Sequence, residues 1–362
     1  MKTKYSIVRD SIKTKILNGT YQPNQRISSE SELMKEFNVS RHTVRQAIGD
    51  LVTKGWLYRV QGSGTFCADM SRDLNKRNVT RTKNIAMITT YISEYIFPTI
   101  IRGAETQLSQ HDFNVSLFST NNDHEMEKEV LEKILSQDFD GVIVEPTKSA
   151  LPNPNIGYYL NLERKNIPYL MIHAYYDELE PPNIIMDDEM GGFMQTEHLL
   201  ELGHENIVGF FKTDDNQGIK RMKGFLNAHR KYGVVANPNN VIVYNTAEKK
   251  TTPVEQLKKL LSKSNSDKPT AIVCYHDELA VLLLEVLREY NLNVPEDISI
   301  IGYDDSYLAS VSEVKLTTVK HPQIDMGYAA AKMILELIQN RKVEPIVFTP
   351  ELVVRNSTRE LK

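Results

Sequence analysis

A capped amphipathic helix that runs directly into a glycine-tipped hairpin constrains this chain more than any other feature. It occupies residues 38–66. Ser40 reads as the N-cap, and Val44, Ala47, Ile48, Leu51 and Val52 recur at helical spacing as one buried stripe. Arg41, His42, Arg45 and Gln46 are left on the opposite face, and Gly55 stops the helix. Residues 56–60 and 65–68 then read as two strands around Gln61-Gly62-Ser63-Gly64. Upstream, Tyr5, Val8, Ile12 and Ile16 form the apolar stripe of a helix over 5–17, closed by Asn18-Gly19. Between the two, Ser29-Glu30-Ser31-Glu32 is a capping-box pattern ahead of a short helix that buries Leu33, Met34 and Phe37. Three helices and a hairpin over residues 1–70 make a winged helix-turn-helix of the α+β class.

That layout suits a helix entering the DNA major groove with a wing beside it. Arginine grips phosphate and reads guanine through a two-pronged hydrogen bond, and a helix N-terminus attracts phosphate. Arg41 lies in the first turn and Arg45 one turn on, flanked by His42 and Gln46. Gly62 and Gly64 let the wing turn tightly beside a sugar-phosphate backbone, and Gln61 is placed to reach a base edge. Charge points the same way. Residues 1–83 carry 16 Lys and Arg against 7 Asp and Glu, while residues 84–362 carry 27 against 40. A basic first part on an acidic body fits a polyanionic partner, double-stranded DNA.

Residues 71–83 are polar, basic and aperiodic, and read as a flexible linker. From residue 84 apolar strands alternate with amphipathic helices. Strands are expected at 84–91, 114–119 and 141–145, with helices at 99–111 and 124–136; strands at 207–211, 241–244 and 271–274, with helices at 217–232 and 253–263, repeat the order. Two βαβαβ units predict an α/β body of two doubly wound lobes with a cleft between them, its ligand beyond the carboxyl ends of the strands. The lobes are expected to comprise roughly 84–182 with 323–345, and 187–318 with 346–362.

Other classes fit less well. No Gly-x-Gly-x-x-Gly follows a strand, and there is neither a P-loop nor a Gly-x-Ser-x-Gly elbow, so an enzyme is not expected. The His and Asp residues lack zinc or calcium spacing, so no metal is expected, and no cofactor. No run approaches the ~20 apolar residues of a membrane span. The start of the chain has no signal-peptide core, which disfavours an exported binding protein. Cys67 and Cys274 fall in different expected domains, which suits a reducing cytoplasm rather than a disulfide framework.

Residues 1–70 resemble the winged-helix domain of the gluconate-repressor (GntR) family. The resemblance rests on Ser29, Glu30, Glu32, Leu33, Phe37, Val39, Ser40, Arg41, Thr43, Val44, Arg45, Ala47, Gly55, Leu57, Gly62, Gly64, Thr65 and Phe66. Ser28 departs from it, standing where the family usually has proline. The resemblance implies DNA contacts at Arg41, Arg45 and the wing glycines, with Ser40, His42, Thr43 and Gln61 beside them and Lys4 and Glu30 on the same surface. Residues 84–362 resemble the effector domain of the lactose-repressor (LacI) family, which shares its fold with periplasmic sugar-binding proteins. The motifs are Ile101-Arg102-Gly103-Ala104-Glu105, 140–144, 197–204, Arg221-Met222-Lys223-Gly224-Phe225, 294–299, Gly302-Tyr303-Asp304-Asp305 and 316–319. A GntR-type reader on a LacI-type sensor is similar to the arabinose-responsive repressors of Gram-positive bacteria. It implies a homodimeric repressor released from operator DNA by L-arabinose.

A sugar pocket must replace lost water with charge-assisted hydrogen bonds, and an aromatic ring can cover the apolar face of the sugar. The first candidates are Arg221, in Arg-x-x-Gly-Phe, and Asp304, in Gly-Tyr-Asp-Asp. His276 stands ahead of Asp277 where the family usually has asparagine, and His173 where many members have aspartate. Glu145, Lys148, Tyr175, Lys212 and Asp215 follow, with Tyr91 and Phe97 as a stacking wall. Acids and bases in this set offset one another, which suits a neutral monosaccharide better than a sugar phosphate.

Overall fold

The structure is a computed structural model that describes residues 3–69, 83–262 and 268–361. The linker expected at 71–83 lies outside the described residues except for its last residue.

The N-terminal part is built as its caps and stripes require. Helix α1 (Lys4–Leu17) buries Val8, Ile12 and Ile16, and Tyr5 at its start donates its hydroxyl to Asp50 at 2.8 Å. Helix α2 (Glu30–Phe37) begins with the expected capping box, in which Ser29 N–H donates to Glu32 at 2.7 Å and Glu32 N–H donates back to the Ser29 hydroxyl. Helix α3 (Arg41–Thr53) is capped by Ser40, which accepts from Thr43 N–H, and buries Val44, Ala47, Ile48 and Leu51. Strands β1 (Leu57–Val60) and β2 (Gly64–Cys67) pair antiparallel as the wing. Gly64 has φ 124°, and a side chain there would meet the Arg26 guanidinium, so glycine is required at that corner.

The body contains two six-stranded sheets. The first is built on β3 (Asn84–Thr89), α4 (Phe97–Ser109), β4 (Asn114–Ser119), α5 (His124–Leu135), β5 (Gly141–Val144), α6 (Ile156–Arg164), β6 (Tyr169–Ile172) and β7 (Asn183–Met186). The second is built on α7 (Asp188–Glu201), β8 (Ile207–Lys212), α8 (Asn216–Lys231), β9 (Val241–Tyr244), α9 (Thr252–Leu261), β10 (Ala271–Val273), α10 (Asp277–Glu289), β11 (Ser299–Asp304), α11 (Tyr307–Val311) and β12 (Thr317–Lys320). Helix α12 (Gln323–Ile338) and strands β13 (Ile346–Phe348) and β14 (Glu351–Val353) complete the chain. The sheet orders are β13-β7-β6-β5-β3-β4 and β14-β12-β11-β10-β8-β9, the same winding twice. Each sheet reverses direction of growth beside its first strand, and the crevice at that switch point opens at the carboxyl ends of the strands.

One expected boundary is corrected. The segment 346–362 does not belong wholly to the second lobe, because β13 pairs parallel with β7 in the first sheet. Only from β14, which pairs antiparallel with β12, does the chain lie in the second. The chain therefore crosses between lobes three times, after β7, β12 and β13. Close helix pairs brace the lobes. At Gly192 and Gly224, α7 and α8 approach so tightly that a methyl on either glycine would strike the backbone of the opposite helix. Among the described residues no helix is long and apolar enough to cross a membrane.

The winged helix does not stand apart from the body. Its apolar core continues through Trp56 and Cys67 into that of the first lobe, around Leu131, Tyr158 and Leu162.

Candidate DNA interface and ligand cleft

Arg45 and Gly49 of α3 and the wing frame one open groove. It is lined by Arg26, Glu30, Arg45, Gly49, Arg59 and the wing residues 60–65. Of the expected DNA-facing residues, the groove brings together Glu30, Arg45, Gln61, Gly62 and Gly64, while Arg41 and His42 are exposed at the head of the same helix. Glu30 holds the arginines. Arg45 Nε donates to both of its carboxylate oxygens at 3.0 and 2.9 Å, and Arg41 Nε stands 4.0 Å away. The Arg45 side chain remains 61 % exposed, so this is a surface ion pair worth about 0–1 kcal/mol and readily exchanged for a phosphate or a base edge. Ser40 and Thr43 spend their hydroxyls on the cap, 2.9 Å apart. Lys4 is exposed on the first turn of α1, and the groove does not include it. Arg26 and Arg59 were not anticipated. Arg59 is exposed on β1, where Leu57 alone is buried, and Arg26 lies against the wing, its backbone bridging to Phe66 and its guanidinium beside Gly64.

Between the lobes lies a cavity of ≈ 110 Å³. The lobes are bridged around it. Asn122 Nδ2 donates to Thr246 Oγ1 at 2.7 Å, Asn216 donates to the Ser149 hydroxyl and carbonyl at 2.9 Å each, and the Tyr95 hydroxyl donates to the Tyr303 carbonyl at 3.0 Å. Nine expected residues line the cavity: Tyr91, Phe97, Glu145, His173, Lys212, Asp215, Arg221, His276 and Asp304.

Arg221 is the electrostatic centre. Its Nε donates to Asp188 at 2.8 Å, its Nη1 donates to the Tyr275 carbonyl at 2.6 Å, and Nη2 lies 3.7 Å from Asp304. The guanidinium carbon sits 3.4 Å from the centre of the Tyr303 ring. Burial opposes its charge, but Asp188, Tyr303 and Asp304 outweigh that and hold its pKa well above the ordinary value. Burial also pushes the Asp304 carboxyl up, against the pull of Arg221. Beyond the Tyr275 ring Lys212 bonds Asp215 at 2.8 Å; burial resists both charges, and each partner restores the other's. The Tyr275 hydroxyl donates to the same Asp215 at 2.9 Å.

His276 caps α10, its Nδ1 accepting from Leu279 N–H at 3.0 Å. Burial lowers its pKa to about 3, so the ring is neutral and its proton sits on Nε2, a donor for a ligand. Phe97 packs against Tyr91 at 6.2 Å and against the edge of His173 at 5.9 Å, a continuous aromatic wall. Several buried polar atoms of the lining have no partner: His173 Nε2, His321 Nδ1, the Gln217 amide oxygen and the Tyr244 hydroxyl. Buried polar groups are normally satisfied, so this cluster of orphans is a site shaped for a hydroxyl-bearing ligand.

Three expected residues lie elsewhere. Lys148 follows β5 but turns away at φ 44°, its ammonium 3.8 Å from Asp123. Tyr175 packs on the core of the first lobe, its ring 6.0 Å from the Lys220 ammonium of α8, and does not line the cavity. Asp277 sits beneath the cavity, accepting from Ser306 N–H at 2.8 Å and from the Thr318 hydroxyl at 2.7 Å. Burial and then Asp304 push its pKa up to about 7. Asp188, Tyr95, Tyr244, Lys249, Tyr275 and His321 line the cavity and were not anticipated. The signal for Asp188 and Tyr275 was their position just after a strand.

Comparison with known proteins bears on both halves. Residues 4–67 match the model of bacterial regulatory proteins of the gntR family, and residues 196–358 match the periplasmic binding protein-like domain. The chain is 57 % identical to the arabinose metabolism transcriptional repressor of Halalkalibacterium halodurans, over 100 % of this chain and 98 % of that one. It is 49 % identical to the protein of the same name from Geobacillus stearothermophilus, over 99 % and 98 %. The chain belongs to this family of transcriptional repressors. Among solved structures, a LacI family transcriptional regulator from Enterococcus faecium with bound ribose superposes with a TM-score of 0.67 at 26 % identity, over 77 % of this chain and 100 % of that one. The protein is thus a sugar-responsive repressor, with a gntR-type DNA-binding domain on a LacI-like sensing domain.

Proposed function

We propose that the effector is L-arabinose, bound in the interlobe cavity, and that its binding releases a homodimer from operator DNA in the cytoplasm. The observation that carries this is the cavity's composition. Paired acids and bases leave no surplus positive charge for a phosphate, while the orphaned polar atoms and the Tyr91–Phe97 wall suit a small neutral polyol. The names of the two close relatives support the pentose. The nine lining residues expected from the sequence are the proposed sugar contacts, with Arg221 and Asp304 bonding adjacent hydroxyls. On DNA, Arg41 and Arg45 are the proposed base and phosphate contacts, with the wing glycines beside the backbone. No metal or cofactor enters this mechanism.

Sugar that prefers the bridged arrangement shifts the population toward it, and its effect on DNA can be no larger than its difference in affinity for the two arrangements. Closure in a pair of copies respaces the two readers, so that both no longer fit one operator. Calorimetry against a panel of L-arabinose, ribose, xylose, glucose and galactose tests the ligand. The expected result is L-arabinose binding at least about tenfold tighter than the others, the equivalent of one good hydrogen bond to a charged group. Tighter binding of ribose, the ligand of the Enterococcus faecium regulator, overturns the assignment.

A further inference from the structure

The winged helix is seated on the first lobe, and that seat is continuous with the rim of the cleft. At the cleft end, Asn122 donates across to Thr246 and accepts from Lys148 N–H at 2.7 Å. The adjoining Thr147 N–H donates to the Tyr176 hydroxyl at 2.8 Å, and that hydroxyl donates to Glu127 at 2.8 Å. Glu127 is fully buried and also accepts from Tyr159 at 2.8 Å, Asn153 at 3.0 Å and Asn155 at 2.7 Å. Asn155 heads α6 and Tyr159 lies one turn in, so this carboxylate fixes where α6 starts.

The other face of α6 carries the winged helix. Asn161 Nδ2 donates to the Leu17 carbonyl at the end of α1. The hydroxyls of Tyr158 in α6 and Thr14 in α1 both donate to Glu132, at 2.9 and 3.0 Å. Gly157 lies so close to Asn18 that a methyl group there would stand 2.6 Å from the Asn18 carbonyl oxygen.

We propose that α6 is the coupling element of this repressor: the state of the cleft reaches the DNA reader through Asn122, Thr147, Tyr176 and Glu127 to α6, and from α6 to the end of α1. This rests on the sugar-responsive reading and adds its route. Opening the lobes breaks the Asn122–Thr246 bond and frees the Lys148 turn, which is held at φ 44°. The side chains of Asn122, Thr147, Tyr176, Glu127, Asn153 and Asn155 are all hydrogen-bonded, so the network changes by exchanging partners rather than by stretching. A small shift of α6 then moves α1, and α1 carries α3 with it through their shared core.

Gly157→Ala tests the route. Alanine favours a helix over glycine, so α6 and the cleft stay formed while the methyl wedges α1 away. Operator affinity is measured with and without L-arabinose, and sugar affinity by calorimetry. The expected result is sugar affinity within about twofold of the parent, with the sugar-dependent change in operator affinity reduced at least about tenfold, the scale of ordinary allosteric coupling. Gly157→Leu, too large for any accommodation at Asn18, gives the same result more strongly. Full sugar response in both variants overturns the proposal. A parent protein whose operator binding ignores sugar overturns the functional reading itself, a separate outcome.

Discussion

An Arg221→Ala protein will bind its operator but no longer release it when L-arabinose is added. The Arg221 guanidinium is buried, bonded to Asp188 and Tyr275, and faces Asp304 across 3.7 Å. Each charge-assisted bond it offers a sugar hydroxyl contributes about 1.5–3 kcal/mol, so losing two lowers sugar affinity by roughly 10²-fold or more. Removing it also leaves Asp188 and Asp304 buried without their cation. That costs roughly 3–5 kcal/mol of stability, part of it relieved by further protonation of Asp304, whose pKa burial already raises. Arg221→Lys keeps the charge but not the planar fork, and is expected to retain most of the stability while still losing sugar affinity. Calorimetry and thermal melting separate the two effects. Normal induction of Arg221→Ala would remove this residue from the sugar site.

The second large effect is on DNA. Arg45→Ala is expected to weaken specific operator binding by roughly 1–3 kcal/mol and to relax the preference at the base pair it reads. Its partner Glu30 holds it in an exposed pair, so little stability is lost with it. Arg59→Ala on the wing should instead weaken all sequences alike and reduce the salt slope of binding by about one. Titration of operator and random duplex at several salt concentrations distinguishes the two patterns. Unchanged operator affinity in Arg45→Ala takes the residue off the reading face.

Local chemistry was legible in the sequence, and tertiary approach was not. Ser29, Glu32 and Ser40 announced their caps because a cap is a matter of spacing within a few residues. The alternating strands and helices announced both lobes for the same reason. Arg221 and Asp304 stood in motifs placed just after strands or at helix starts, and their charged ends lie 3.7 Å apart in the lining of the cavity. Asp188 was missed because a carboxylate in the first turn of a helix reads as ordinary N-terminal charge; only the approach of Arg221 from α8 makes it a clamp. Lys148 and Tyr175 were misplaced because the side on which a loop residue projects depends on its backbone, and a left-handed turn at Lys148 is not visible in residue identities. The three-residue strand β13 is too short for its pattern to say which sheet it joins. Thr14, Gly157 and Asn161 gave no sign of the contact between α1 and α6, since no sequence pattern marks where two domains meet.

Sugar in the cleft and DNA on the reader are linked through one equilibrium. Operator binding by the full-length protein, measured in rising L-arabinose at fixed salt, tests it most directly. Losing one of two linked contacts predicts a fall in operator affinity of about 10²–10⁴-fold at saturation, with the midpoint at the sugar's own dissociation constant. Operator affinity that stays constant from zero to saturating L-arabinose would contradict it.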